Sequence, residues 1–107
     1  VEFIEASAFT KFVYDYLSED DYADLEFYLF QHPESGDLIP GSGGIRKLRW
    51  ALPEKNKGKR GGARVIYYFK KKEDEIWLLT LYSKGEVANI SAYTLKIIAK
   101  EIENEAN

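Results

Sequence analysis

Eleven of the chain's fifteen lysines and arginines fall between Gly44 and Lys72, where the only acid is Glu54. Their spacing sorts them into two kinds. Lys47, Arg49 and Arg64 lie inside apolar runs, whereas Lys55, Lys57, Lys59 and Arg60 share the segment KNKGKRGG with glycines that let a backbone approach a ligand closely. Lys84 follows the apolar run that ends at Ser83, and Glu86 beside it either orients it or forms a surface ion pair. Converging cations of this kind hold an anion, and a polyanion engages many of them at once. A solvated loop with solubilising lysines explains the second kind but not Arg64. An arginine inside a strand-like run must point to solvent, to a partner or into a groove.

The elements that must position these side chains are legible from periodicity. Three β-like runs, Ile45 to Leu52, Ala63 to Lys70 and Ile76 to Ser83, predict an antiparallel meander. Alternation directs Leu48 and Trp50 to one side together with Arg46, and Lys47 and Arg49 to the other with Ile45. In the next run Val65, Tyr67 and Phe69 form the apolar side, opposite Arg64, Ile66 and Tyr68. If the apolar sides meet helices, Lys47, Arg49 and Arg64 share the remaining face, with Lys55, Lys57, Lys59 and Arg60 on its rim. Tyr68 is then a stacking surface in the groove, and Lys84 reaches it from another side.

Before the meander, Val1 to Ile4 reads as a short strand. Ser7 is the expected cap of a helix to about Leu17, and Ser18 the cap of a second helix whose first turn holds Glu19, Asp20 and Asp21. Pro33 to Gly44 reads as a connection, and Lys71 to Glu75 as a charged hairpin turn, at whose tip turn solvation and edge protection account for Lys70, Lys71 and Lys72. A last helix begins near Ser91 with Leu95, Ile98, Ala99 and Ile102 on one face. The order is β-α-α-β-β-β-α, an α+β domain spanning residues 1 to 107 with an antiparallel sheet of about four strands. His32, before Pro33 at a helix end, is accounted for by that position rather than by catalysis.

Charge is segregated along the chain. Residues 1 to 43 carry ten acids and one base, residues 44 to 72 a net charge of +10, and the whole chain a net charge of -3. Screening over about 8 to 10 Å makes the local patch, not the overall sign, what a polyanion meets. With no cysteine and one histidine the chain has no disulfide, thiolate site, cysteine nucleophile or zinc cluster. No apolar run approaches the ~20 residues of a membrane span, and no signal-peptide pattern opens the sequence, so a soluble cytoplasmic protein without a membrane partner is expected. The chain begins at Val1 and contains no methionine, which leaves room for native residues upstream.

Three stretches, GSGGIRKLRW (Gly41 to Trp50), KGKRGGARVIYYF (Lys57 to Phe69) and LLTLYSKGE (Leu78 to Glu86), resemble the RelE/HigB superfamily of type II toxins, and within it the HigB branch. The element order is similar along nearly the whole chain. The resemblance implies a RelE-like fold, with two N-terminal helices on one face and a C-terminal helix. It also implies a ribosome-dependent mRNA endonuclease, held in check by a cognate antitoxin and needing no metal or cofactor. Carried over by motif position, Arg64 contacts the scissile phosphate, Lys57 and Lys59 correspond to loop lysines, and Lys84 to the basic residue after the last strand. Arg46, Lys47, Arg49, Lys55, Arg60 and Tyr68 complete the expected RNA-contacting set.

Attack by a ribose 2′-OH requires charge stabilisation, a base and help for the leaving group. Arg64 suits the first task, because its planar fork matches phosphate oxygens. Lys57 or Lys59, crowded by other cations, is the candidate base. The sequence departs from some family members in having Gly85 after Lys84 and no tyrosine nearer than Tyr93. Rival expectations are a ParE-like gyrase inhibitor on the same fold and a small nucleic-acid-binding module without chemistry.

Overall fold

The computed structural model describes residues 1–52, 62–86 and 90–105. In chain order the elements are β1 (Glu2–Glu5), α1 (Ser7–Tyr16), α2 (Glu19–Gln31), β2 (Asp37–Leu38), β3 (Ile45–Trp50), β4 (Ala63–Lys70), a 3-10 turn (Lys71–Glu73), β5 (Glu75–Ser83) and α3 (Ala92–Asn104). Among the described residues the fold is α+β, with three α-helices and one mixed sheet of five strands in the order β1-β5-β4-β3-β2. The sheet therefore has one strand more than the four expected, and it is mixed rather than antiparallel, because β1 pairs parallel with β5. The addition is β2, two exposed residues paired antiparallel with Arg46 and Lys47. A strand of two residues carries no alternation to read.

Both helical starts in the N-terminal third follow from local chemistry. At α2, Ser18 Oγ accepts from the Asp21 amide at 3.0 Å and Asp21 Oδ2 accepts from the Ser18 amide at 3.4 Å, a complete capping box. Replacing Ser18 by Ala is expected to lower stability by about 1 kcal/mol in denaturant titration. Ser7, by contrast, is the first helical residue and not a cap. The Ala6 amide is still bonded to the Leu78 carbonyl at 2.9 Å, so the chain leaves β1 and enters α1 with no residue to spare. Thr10 Oγ1 instead donates to Glu5 at 2.6 Å.

Two cores lie on opposite sides of the sheet. Phe9, Val13, Leu25 and Leu29 from α1 and α2 pack on Leu48, Val65, Tyr67, Ile76 and Leu78. Leu95, Ala99 and Ile102 from α3 pack on Ile45, Ile66 and Leu79. β5 serves both by alternation, interrupted by one bulge: Ile66 pairs with Thr80 but Tyr67 pairs with Leu78, leaving Leu79 as the extra residue. Beyond it Leu81 belongs to the first core and Tyr82 packs on the second, opposite Arg64.

The connection before β2 is fastened from below. Tyr67 is fully buried; its hydroxyl donates to the Pro33 carbonyl at 2.8 Å and accepts from the Gly36 amide at 2.9 Å. Gly36 has to be glycine here, since a Cβ would stand 2.8 Å from the Tyr67 ring. At the other end of the sheet's long hairpin, Lys70 is not the solvated turn residue expected. It is 1% exposed, and its Nζ donates to the Glu105 carbonyl at 3.0 Å, a cation at the C-terminus of α3. Lys71 and Lys72 remain exposed, with Lys71 3.7 Å from Glu34.

Candidate functional site

Two arginines stand directly opposite each other on β3 and β4: Arg49 pairs with Arg64, and Arg64 with Tyr82 on β5. Directly paired strand residues have Cβ atoms about 4.5–5.5 Å apart, and like charges in that position repel. Arg49 is exposed and Arg64 half-buried, with its guanidinium 3.4 Å from the Ala63 carbonyl. Arg49 has no bonded or ionic partner among the described residues. An anion bridging the two guanidiniums would turn the repulsion into attraction.

The row extends in both directions. Lys47 lies two residues from Arg49 on the same face, opposite Ile66. Past the end of β5, the Lys84 amide donates to the Gly62 carbonyl at 3.1 Å, which ties the turn after β5 to the start of β4. The Lys84 side chain is exposed at the Arg64 end of the sheet and is unpaired among the described residues. Sequence alternation thus correctly assembled Lys47, Arg49 and Arg64, and the structure brings Lys84 to their end of the sheet. Lys55, Lys57, Lys59 and Arg60 lie outside the described residues, which resume at Gly62.

Two residues of the expected set belong elsewhere. Arg46 is on the α1/α2 side of the sheet, opposite Tyr67, and its guanidinium donates to the carbonyls of Glu34 and Gly36, both at 2.8 Å. Its carboxylate partner is Glu34 at 3.6 Å, so it secures the connection before β2 rather than facing a ligand in the groove. Tyr68 does lie on the Arg64 side, but α3 covers it and its hydroxyl donates to Glu103. It packs in the second core instead of offering a free stacking face. His32 closes α2 with its amide on the Tyr28 carbonyl, and its ring is 5.1 Å from that of Tyr28.

Glu86 has a different task from the one its neighbour suggests. It accepts from the Tyr16 hydroxyl at 2.8 Å, from the Ser83 amide at 3.1 Å, and from the Ser83 hydroxyl. It braces the end of β5 against α1 rather than orienting Lys84. The adjacency of Glu86 to Ser83 is visible in sequence; its pairing with Tyr16, seventy residues away, is not. Burial, then the carboxylate beside it, pushes the Tyr16 phenol from its ordinary value near 10 up to about 12. Tyr68 is raised to about 12 by burial and Glu103, and Tyr22 is also raised, by burial and Glu5.

These shifts fix a sign. A phenol whose folded pKa exceeds its unfolded value contributes stability that is fully present below about pH 10 and is lost as pH rises toward 12. Thermal stability is therefore expected to fall over pH 10 to 12, with tyrosinate absorbance rising together with unfolding. In the triple variant with Phe at 16, 22 and 68 this alkaline fall should shrink.

Among the described residues no three His, Cys, Asp or Glu side chains converge as metal ligands, and no helix is long and apolar enough to cross a membrane. No protein-family model matches the chain.

Proposed function

We propose that this protein is the toxin of a type II toxin–antitoxin pair, a ribosome-dependent endonuclease that cleaves messenger RNA during translation. The observation that carries the reading is the cross-strand pair Arg49 and Arg64, with the exposed Lys84 at the same end of the sheet. Such a row holds a phosphate chain, with Arg64 at the scissile phosphate.

In the proposed reaction the ribose 2′-oxygen bonds to the adjacent phosphorus and the bond from phosphorus to the 5′-oxygen breaks. A lysine takes the 2′-hydroxyl proton, the 5′-oxygen gains one, and the products are a 2′,3′-cyclic phosphate and a 5′-hydroxyl. Lys57 or Lys59, crowded by other cations in the sequence, is the base, and Arg64 with Arg49 stabilises the charge that grows on the phosphorane. Electrostatic stabilisation of this kind contributes about 10²- to 10³-fold, and an acid or base about 10²- to 10⁴-fold. That suffices for a slow nuclease whose substrate is positioned by the ribosome. A cognate antitoxin is the expected protein partner, and the cytoplasm, where translation occurs, the place of action.

Primer extension on translated messages, after expression in bacteria, tests the reading. Codon-linked 5′ ends should appear with the wild-type chain. Growth arrest without such ends, accompanied by loss of DNA supercoiling, would select gyrase inhibition instead. Binding of RNA with no arrest would leave a nucleic-acid-binding module.

A further inference from the structure

Beside the arginine pair, α3 does not close fully onto the sheet. A cavity of about 170 Å³ remains, lined by Ile39, Lys47, Ile66, Tyr82, Ile90 and Leu95. Four aliphatic side chains and one aromatic ring make its walls. Among the described residues its one charged lining side chain is Lys47, which is half-buried and has no bonded or ionic partner among them. Lys47 lines this apolar slot with its stem and carries at its end an ammonium whose donors no described residue engages, so a ligand seated in the slot can supply the acceptor.

Size and chemistry narrow that ligand. Drug-sized molecules occupy roughly 300–1,000 Å³, so this cavity has room for one ring system and not for a whole nucleotide. The ring must be flat and apolar on its faces, to lie among isoleucines and against Tyr82. Its edge must offer acceptors only, because an ammonium is three donors and no acceptor. Among nucleobases guanine presents two neighbouring acceptors, N7 and O6, on one edge, whereas adenine sets a donor beside N7. The position fits as well: Lys47 is two residues along β3 from Arg49, about 7 Å, so the slot lies one short step from the proposed phosphate row.

We propose that this cavity takes one guanine base of single-stranded RNA, with Lys47 Nζ donating to N7 and O6 and Tyr82 forming a wall against the ring. The biological ligand rests on the nuclease reading, but the pocket chemistry does not. It makes Lys47 a specificity-determining residue, in contrast to Arg49 and Arg64, which contact phosphate and read no sequence.

The test is an amide and methyl NMR titration of the intact protein with GMP, AMP, 7-deaza-GMP and ribose 5-phosphate, repeated on Lys47→Met. GMP is expected to move resonances of Ile66, Tyr82 and Leu95, with about tenfold weaker binding by AMP, by 7-deaza-GMP and by the Met variant. Ribose 5-phosphate should perturb the Arg49 and Arg64 end and leave the cavity unchanged. The Met variant keeps the apolar stem, and its melting temperature verifies that it folds. Equal responses to GMP and AMP, no cavity response, or a response indifferent to Lys47→Met would each overturn the proposal. Cavity binding of GMP in a protein that cleaves no message would uphold the pocket and remove the nuclease. Cleavage with a silent cavity would do the reverse.

Discussion

Arg64→Ala is expected to lower message cleavage by about 10²- to 10³-fold and to relieve growth arrest, while the protein remains folded. Arg64 is placed by β4, whose neighbours Ala63 and Val65 are fully buried, so the strand should hold its position without the guanidinium. Arg49→Ala provides the control that separates charge from architecture. It removes one half of a repelling pair at an exposed position, and should leave stability equal or raise it by roughly 0.2–1 kcal/mol at low salt, a gain that vanishes as salt screens the pair. It should also weaken RNA binding. Undiminished cleavage in Arg64→Ala would move the chemistry away from this face.

Gly36→Ala is expected to have the largest effect on stability among surface-loop substitutions. The added methyl would meet the fully buried Tyr67 ring at 2.8 Å and its hydroxyl at 2.9 Å, and that ring cannot retreat. Overpacking of this kind costs about 1–3 kcal/mol. Tyr67→Phe should cost a similar amount, because the Gly36 amide and Pro33 carbonyl lose their buried partner. Both changes sever the same contact, so the double variant should lose clearly less than the sum of the two. Denaturant midpoints for the three variants decide this, and simple additivity would show that the loop is held by something other than Tyr67.

Much of the site is legible in the sequence because it depends on period two. Lys47, Arg49 and Arg64 alternate with Leu48, Trp50, Val65 and Tyr67, and a residue that alternates with core residues can face only the opposite side. The errors share a cause as well. Arg46 falls within the cationic stretch yet alternates with the opposite set, and only the folded connection supplies the carbonyls of Glu34 and Gly36 that engage it. Tyr68 sits on the predicted side, but whether a helix covers it depends on where α3 returns along the sheet. Lys70 reads as one of three turn lysines, and the carbonyl it meets is thirty-five residues away. Short-range pattern assigns faces; partners distant in sequence assign roles.

The bulge at Leu79 has a consequence for tolerance to changes in chain length. A one-residue deletion in a central strand normally turns every following side chain over. Here the strand already carries a supernumerary residue, so deleting Leu79 would regularise the ladder and leave Leu81 and Tyr82 on the sides they now occupy. The loss would be one apolar contact with α3, not the phase of the strand. The natural length of β5 is thus one residue longer than its register needs, and the site end of the sheet is insulated from that excess.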